Sequence, residues 1–290
     1  MSDDEMRPAW SEQFAAEAIR QIFQDGPIAD LTPEWAFGGS TGKGIRVAVV
    51  DSGVEFDHPA LGNSVRGGVV VEYDEDAENM IRYEADDQPV DLAGHGTACA
   101  GIIHALAPQA EIISVRVLGS NMRGRAIQFA GGLDWAIENG IQVVNLSLST
   151  SKEEYFGLFH DLADQAYFKN MNVVCAVNNY PEPSFPSLYS SVISVAAHEG
   201  HDPFTYYYNP SPPVEFGAPG IDIDVAWMNK QYVNSTGNSF AAPHITGIIA
   251  LIRAKHPELT PFQVKTILLA CASNMQRMDK KPKYRKTSRK

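Results

Sequence analysis

The sequence predicts an α/β protein in three layers, a mostly parallel sheet with helices on both faces. Three observations carry this expectation. Five apolar runs, Ile45 to Val50, Ile112 to Val117, Val143 to Leu148, Val173 to Val177 and Val192 to Ala196, are near-continuous rather than alternating, as strands covered on both faces require. Helical stretches follow His95 and span about Arg125 to Asn139 and Glu153 to Lys169, so strand and helix alternate along the chain. Polar residues close several strands, namely Asp51, the pair Asn145 and Ser147, and the pair Asn178 and Asn179. In a parallel sheet those positions share one edge, the edge where function gathers.

In chain order, residues 1–43 read as an N-terminal extension. Ser11 can cap an amphipathic helix with Phe14, Ala18, Ile19, Ile22 and Phe23 on one face, ending at Asp25-Gly26-Pro27. Gly38 to Gly44 then reads as a flexible entry. It is not a phosphate loop, because it lacks a Gly-Lys-Ser/Thr ending and leads into a strand rather than a helix. Residues 44–272 form one domain, closed by helices over 239–255 and 261–271 with His256 to Pro261 between them. Residues 273–290 are a basic tail with little to bury, expected to be disordered.

Composition narrows the function. The chain has 290 residues, 44% of them hydrophobic, and a formal charge of −12. From Arg277 onward eight Lys or Arg face one acid, a net +7, which leaves −19 on the rest. So acidic a body excludes nucleic acid as a partner. Cys99, Cys175 and Cys271 are an odd number without metal-ligand spacing, and each sits in an apolar run as a small buried residue. The start, Met-Ser-Asp-Asp-Glu, has neither the basic residues nor the apolar stretch of a secretory signal, and no run is long enough to span a membrane. The expectation is a soluble cytoplasmic protein.

Chemistry enters with Gly237-Asn238-Ser239-Phe240-Ala241-Ala242-Pro243-His244, which runs into an apolar helix. Ser239 at a helix start is an N-cap on the simplest reading. The same place gathers unpaired N–H groups and the positive end of the helix dipole, which stabilise an oxyanion. A serine hydroxyl needs a base to become a nucleophile, and the base needs a group that orients it. Two further segments supply these types, Val47-Ala48-Val49-Val50-Asp51-Ser52-Gly53 and Gly94-His95-Gly96-Thr97-Ala98-Cys99-Ala100-Gly101.

In these three segments the chain resembles the subtilisin-like serine proteases, over about residues 44–272. The resemblance implies a subtilisin-like fold and an Asp-His-Ser triad in the family's order. Ser239 would attack the scissile carbonyl, His95 would carry the proton, and Asp51 would orient His95. Asn179 falls where the family places its oxyanion asparagine. Ser147 and Leu148 match the segment that pairs with the substrate backbone, with Ser149 in place of a glycine at the wall of the primary pocket. Asn238 replaces the threonine that normally precedes the nucleophile, either as a second oxyanion donor or as a turn residue. The family's tight calcium site is expected to be absent, since Ala60 stands where it takes an aspartate and its ligand loop is cut to Ala105-Leu106-Ala107-Pro108. No cofactor is expected, and a weaker calcium site elsewhere stays open.

Residues 62–91 are acidic, with Glu72, Asp74, Glu75, Asp76, Glu84, Asp86, Asp87 and Asp91 among them. They read as a solvated loop or as a cleft rim that draws basic side chains. Arg123 and Arg125, near the far subsites, oppose the second reading. The implied function is a serine endopeptidase acting on a peptide or protein. The alternatives are a maturation protease or macrocyclase for ribosomally made peptide products and, in another class, a peptide-binding pseudoprotease.

Overall fold

The structure is a computed structural model that describes residues 31–77 and 80–275. At its centre β1 (Arg46–Asp51) lies between β4 (Glu111–Arg116) and β5 (Val143–Leu146), parallel to both. Beyond β4 comes β2 (Val65–Tyr73), and beyond β5 come β6 (Asn172–Ala176), β7 (Ile193–His198) and β9 (Phe216–Pro219), all parallel. Antiparallel strands β3 (Ile81–Asp86) and β8 (Tyr207–Tyr208) close the two edges of this nine-stranded sheet. A separate hairpin joins β10 (Ile223–Trp227) to β11 (Gln231–Ser235).

Among the described residues six α-helices flank the sheet or one another: α1 (Pro33–Phe37), α2 (His95–Leu106), α3 (Ala126–Glu138), α4 (Phe156–Phe168), α5 (Asn238–Lys255) and α6 (Pro261–Cys271). Val47 and Val49 pack in one core with α2, α5 and α6, whereas Ala48 and Val50 pack in the other with α3 and α4. That double cover is why β1 reads as an unbroken apolar run. In α5 every residue from Phe240 to Arg253 is buried. A helix apolar on all sides belongs in the centre of a core, and each large aliphatic side chain buried there contributes roughly 1.5–3 kcal/mol. Its first turn, which carries Ser239, therefore starts from a fixed platform.

Several expectations change. The acidic 62–91 segment contains the paired strands β2 and β3 instead of being only a loop. Val65, Val69 and Val71 face the core while charged neighbours face water, and Glu72 pairs with Arg82 across the strands. Charges are tolerated on such an edge strand and discourage pairing with other chains. The Gly38–Gly44 entry is docked, since the Ser40 hydroxyl donates to the Leu251 carbonyl at 2.8 Å and the Gln109 N–H donates to Thr41 at 2.9 Å. Just before it, Trp35 stacks on His256 at 4.3 Å and Lys255 Nζ donates to the Glu34 and Gly38 carbonyls. Docking also holds the chain past residue 272, where Asn274 and Tyr208 exchange hydrogen bonds of 2.9 and 2.7 Å. The helix expected around Phe14–Phe23 and the tail from residue 276 lie outside the described residues. All three cysteines are buried and free, as their apolar settings suggested. No helix among the described residues is long and apolar enough to cross a membrane.

His244, buried in α5, donates to the Pro203 carbonyl at 3.3 Å, and burial pushes its pKa down from 6.5 to about 4. The unfolded chain takes up this proton first as pH falls. Stability is therefore full above pH 6.5 and is lost toward pH 4, by about 3 kcal/mol from this group. Replacing His244 with Gln, which keeps a donor but cannot titrate, should flatten the urea midpoint between those two pH values.

Candidate active site

The carboxylate of Asp51 ends β1 with no exposure to solvent. It accepts from the Ser52 N–H at 2.7 Å and lies 2.8 and 2.9 Å from His95 Nδ1 through its two oxygens. A carboxylate only accepts, so Nδ1 carries the proton and Nε2 is left as the basic nitrogen. Burial alone would lower the His95 pKa, but the charge and hydrogen bond of Asp51, with Asp91 behind them, raise it above the ordinary histidine value. Two glycines permit this approach. A Cβ on Gly96 would come within 2.0 Å of the Gly53 carbonyl, and one on Gly94, at φ +91°, would strike the Trp227 indole.

Ser239 sits in the first turn of α5, half-buried, and its hydroxyl makes no hydrogen bond among the described residues. Its carbonyl is anchored for a reason legible in the helix. Pro243 has no N–H, so the carbonyl four residues earlier loses its helical donor. The Ser147 hydroxyl replaces that donor at 2.9 Å. Asn145 Nδ2 donates to Ser147 at 2.9 Å, and the Thr246 hydroxyl, from α5 itself, donates to Asn145 Oδ1 at 3.0 Å. The Cys99 thiol lies 3.5 Å from the Ser239 carbonyl, 3.3 Å from Ser147 and 3.9 Å from Asp51. The serine thus stands one thiol away from the Asp51–His95 pair. Burial pushes the pKa of that thiol well up, and the nearby Asp51 charge adds to the shift.

Asn179, exposed beyond β6, is held by its oxygen, which accepts the Asn238 N–H at 3.0 Å. That bond fixes the amide orientation and leaves Nδ2 as an uncommitted donor. The Ser239 N–H, also in the first turn, has no intrahelical acceptor.

A sequence profile of the subtilase family matches residues 42–286. The chain belongs to the subtilase family. Among its relatives, the minor extracellular protease Epr of Bacillus subtilis is 33% identical over 78% of this chain and 35% of that protein. Subtilisin BL of Lederbergia lenta is 31% identical over 82% of this chain and 86% of that protein. The chain therefore spans about a third of the first relative and most of the second. The crystal structure of a cold adapted subtilisin-like serine proteinase superposes with a TM-score of 0.66 at 26% identity, covering 80% of this chain and 83% of that one.

In this subtilase a cleft of about 690 Å³ is lined by Ser147, Leu148, Ser149 and Thr150. Thr150 exchanges backbone hydrogen bonds with Phe185, at 3.0 and 2.8 Å, which ties that wall to the segment after Asn179. It is also lined by Leu118, Met122, Tyr73 at the end of β2 and Met80 just before β3, with the Arg125 guanidinium 3.8 Å from the Tyr73 ring centroid. Among the described residues Arg123, Arg125 and Lys152 line the cleft and no carboxylate does, and the 62–91 segment contributes the uncharged Tyr73 and Met80 to it. Asp91, counted with those acids, turns instead into the bend before His95.

Asn238 proves to be a structural tie. Its Oδ1 accepts the Ala197 N–H at 2.9 Å, and its Nδ2 donates to the Val177 and Asn178 carbonyls at 3.3 and 3.0 Å. With both hydrogens spent inside the chain, the side chain offers nothing to an oxyanion, and the expectation that it binds substrate gives way. Ser147 likewise spends its hydroxyl on the Ser239 carbonyl, so only its backbone is left to face the cleft. Asn238→Ala should destabilise the fold by about 1 kcal/mol, since it leaves the part-buried Ala197 N–H and the Val177 and Asn178 carbonyls without this partner, and urea unfolding measures this.

Proposed function

We propose that this subtilase, a serine endopeptidase by family, cleaves peptide bonds through an acyl-enzyme formed on Ser239. His95 Nε2 takes the hydroxyl proton and returns it to the leaving amine, while Asp51 fixes the ring and stabilises the imidazolium. Asn179 Nδ2 and the Ser239 N–H receive the oxyanion at the start of α5. The substrate backbone lies along residues 147–149. The carrying observation is the buried Asp51–His95 contact of 2.8 Å beside a serine and an asparagine whose reactive atoms are uncommitted. The free Ser239 hydroxyl fits an enzyme without substrate, where such contacts are loose and tighten on binding.

Hydrolysis is favoured over ring closure. The one candidate shield for an acyl-enzyme, the 62–91 segment, is paired into the sheet edge, and among its described residues Tyr73 and Met80 line the cleft. Tight calcium binding is no part of the reading. Where the family takes those ligands, Ala60 and Ala105–Pro108 carry no side-chain oxygen, so the residues present do not fit the ion.

Fluorophosphonate labelling should mark the wild type at Ser239, and Ser239→Ala should lose both labelling and turnover while still binding peptide. Asn179→Ala should lower kcat about 100- to 1000-fold, the loss typical of removing one oxyanion donor in this family, with little change in KM. An unlabelled, folded wild type would overturn the assignment. EGTA should leave both kcat and the thermal midpoint unchanged, and a fall in either on chelation would count against calcium independence.

A further inference from the structure

We propose that Asp91 is a positioning residue for the reaction, the carboxylate that locks the start of α2 to the end of β1 so that His95 and Asp51 move as one body. The inference rests on His95 acting as the base. Asp91 accepts five hydrogen bonds. One oxygen takes the Ser52 hydroxyl at 2.7 Å, the Ala93 N–H at 2.9 Å and the Gly94 N–H at 2.7 Å. The other takes the Thr97 N–H at 2.8 Å and the Thr97 hydroxyl at 2.7 Å.

These partners are not a random set. Ala93 and Gly94 form the turn that enters α2, and Thr97 belongs to its first turn, where helical N–H groups have no internal acceptor. Gly94, the N-cap residue, has no side chain to supply one, and Asp91 reaches over it to do so. Ser52 is the residue after Asp51, and its oxygen in turn accepts the Gly96 N–H at 3.1 Å. Thr97 extends the network by accepting the Glu55 N–H at 2.9 Å. The backbone on both sides of His95 is thus tied, through one carboxylate, to the residue beside its orienting partner. A second negative charge so placed also favours the imidazolium. The titratable groups facing His95 are Asp51 on β1, which contacts Nδ1, Cys99 on α2, whose thiol lies within 4.8 Å of a ring nitrogen, and Asp91 on the turn, whose charge acts on the ring without a hydrogen bond to it.

Asp91→Asn keeps the size of the side chain but turns one acceptor into a donor facing the two Thr97 donors. Per labelled site, its kcat should fall at least about 10-fold with KM within about twofold, and the acid limb of the pH profile should move to lower pH because a charge beside His95 is gone. Ser52→Ala keeps the charge but cuts the link from Asp91 to the Gly96 N–H. It should lower kcat a few-fold and leave the acid limb in place. An Asp91→Asn enzyme with kcat within twofold of wild type, or with an unmoved acid limb, overturns the proposal. If Asp91→Asn does not fold, a Ser52→Ala kcat equal to wild type overturns it. Loss of wild-type fluorophosphonate labelling would instead sink the underlying reading of Ser239 and His95.

Discussion

The site is organised by a carboxylate taken entirely out of water. A buried, unpaired carboxylate costs several kcal/mol, so Asp51 must be surrounded by donors wherever β1 ends. The Ser52 N–H and His95 Nδ1–H meet that need, and the need dictates much of the nearby chain. Helix α2 must begin against the strand end, which demands Gly96 at the point of closest approach and a left-handed Gly94 under the Trp227 indole. Trp227 belongs to β10, whose hairpin partner β11 leads directly to Ser239. One desolvated charge thus bears on three separate stretches of sequence.

Much of this was legible in the sequence because it follows from periodicity and from residues with few other uses. Unbroken apolar runs exposed the doubly covered strands, and β1 with its two cores shows why. Asp51, His95 and Ser239 were legible as a set, since an acid, a base and a hydroxyl at element ends answer each other chemically. The β2–β3 pair was not, because its outward charges mask the inward Val65, Val69 and Val71, and its charged residues resemble a solvated loop.

Roles that depend on what a side chain touches were also hidden. Asn238 could be written as donor or turn residue until its amide was seen to be spent on Ala197, Val177 and Asn178. Asp91 looked like one acid among many. The only local signal was its place four residues before His95, ahead of a helix whose N-cap is a glycine without a side chain.

Pro243 has a consequence beyond the first turn of its helix. By withholding one N–H it exchanges a local bond for a long-range one, so the Ser239 carbonyl is held by Ser147, the residue that follows β5, rather than by α5. A helix end that closed all its own bonds could fray and re-form independently of the sheet. Here the first turn cannot open without breaking the Ser147 contact and disturbing Asn145 and Thr246 behind it. The fluctuations of the nucleophile's backbone are thereby coupled to the sub-global opening of the central sheet, and local motion at Ser239 inherits the stability of the core.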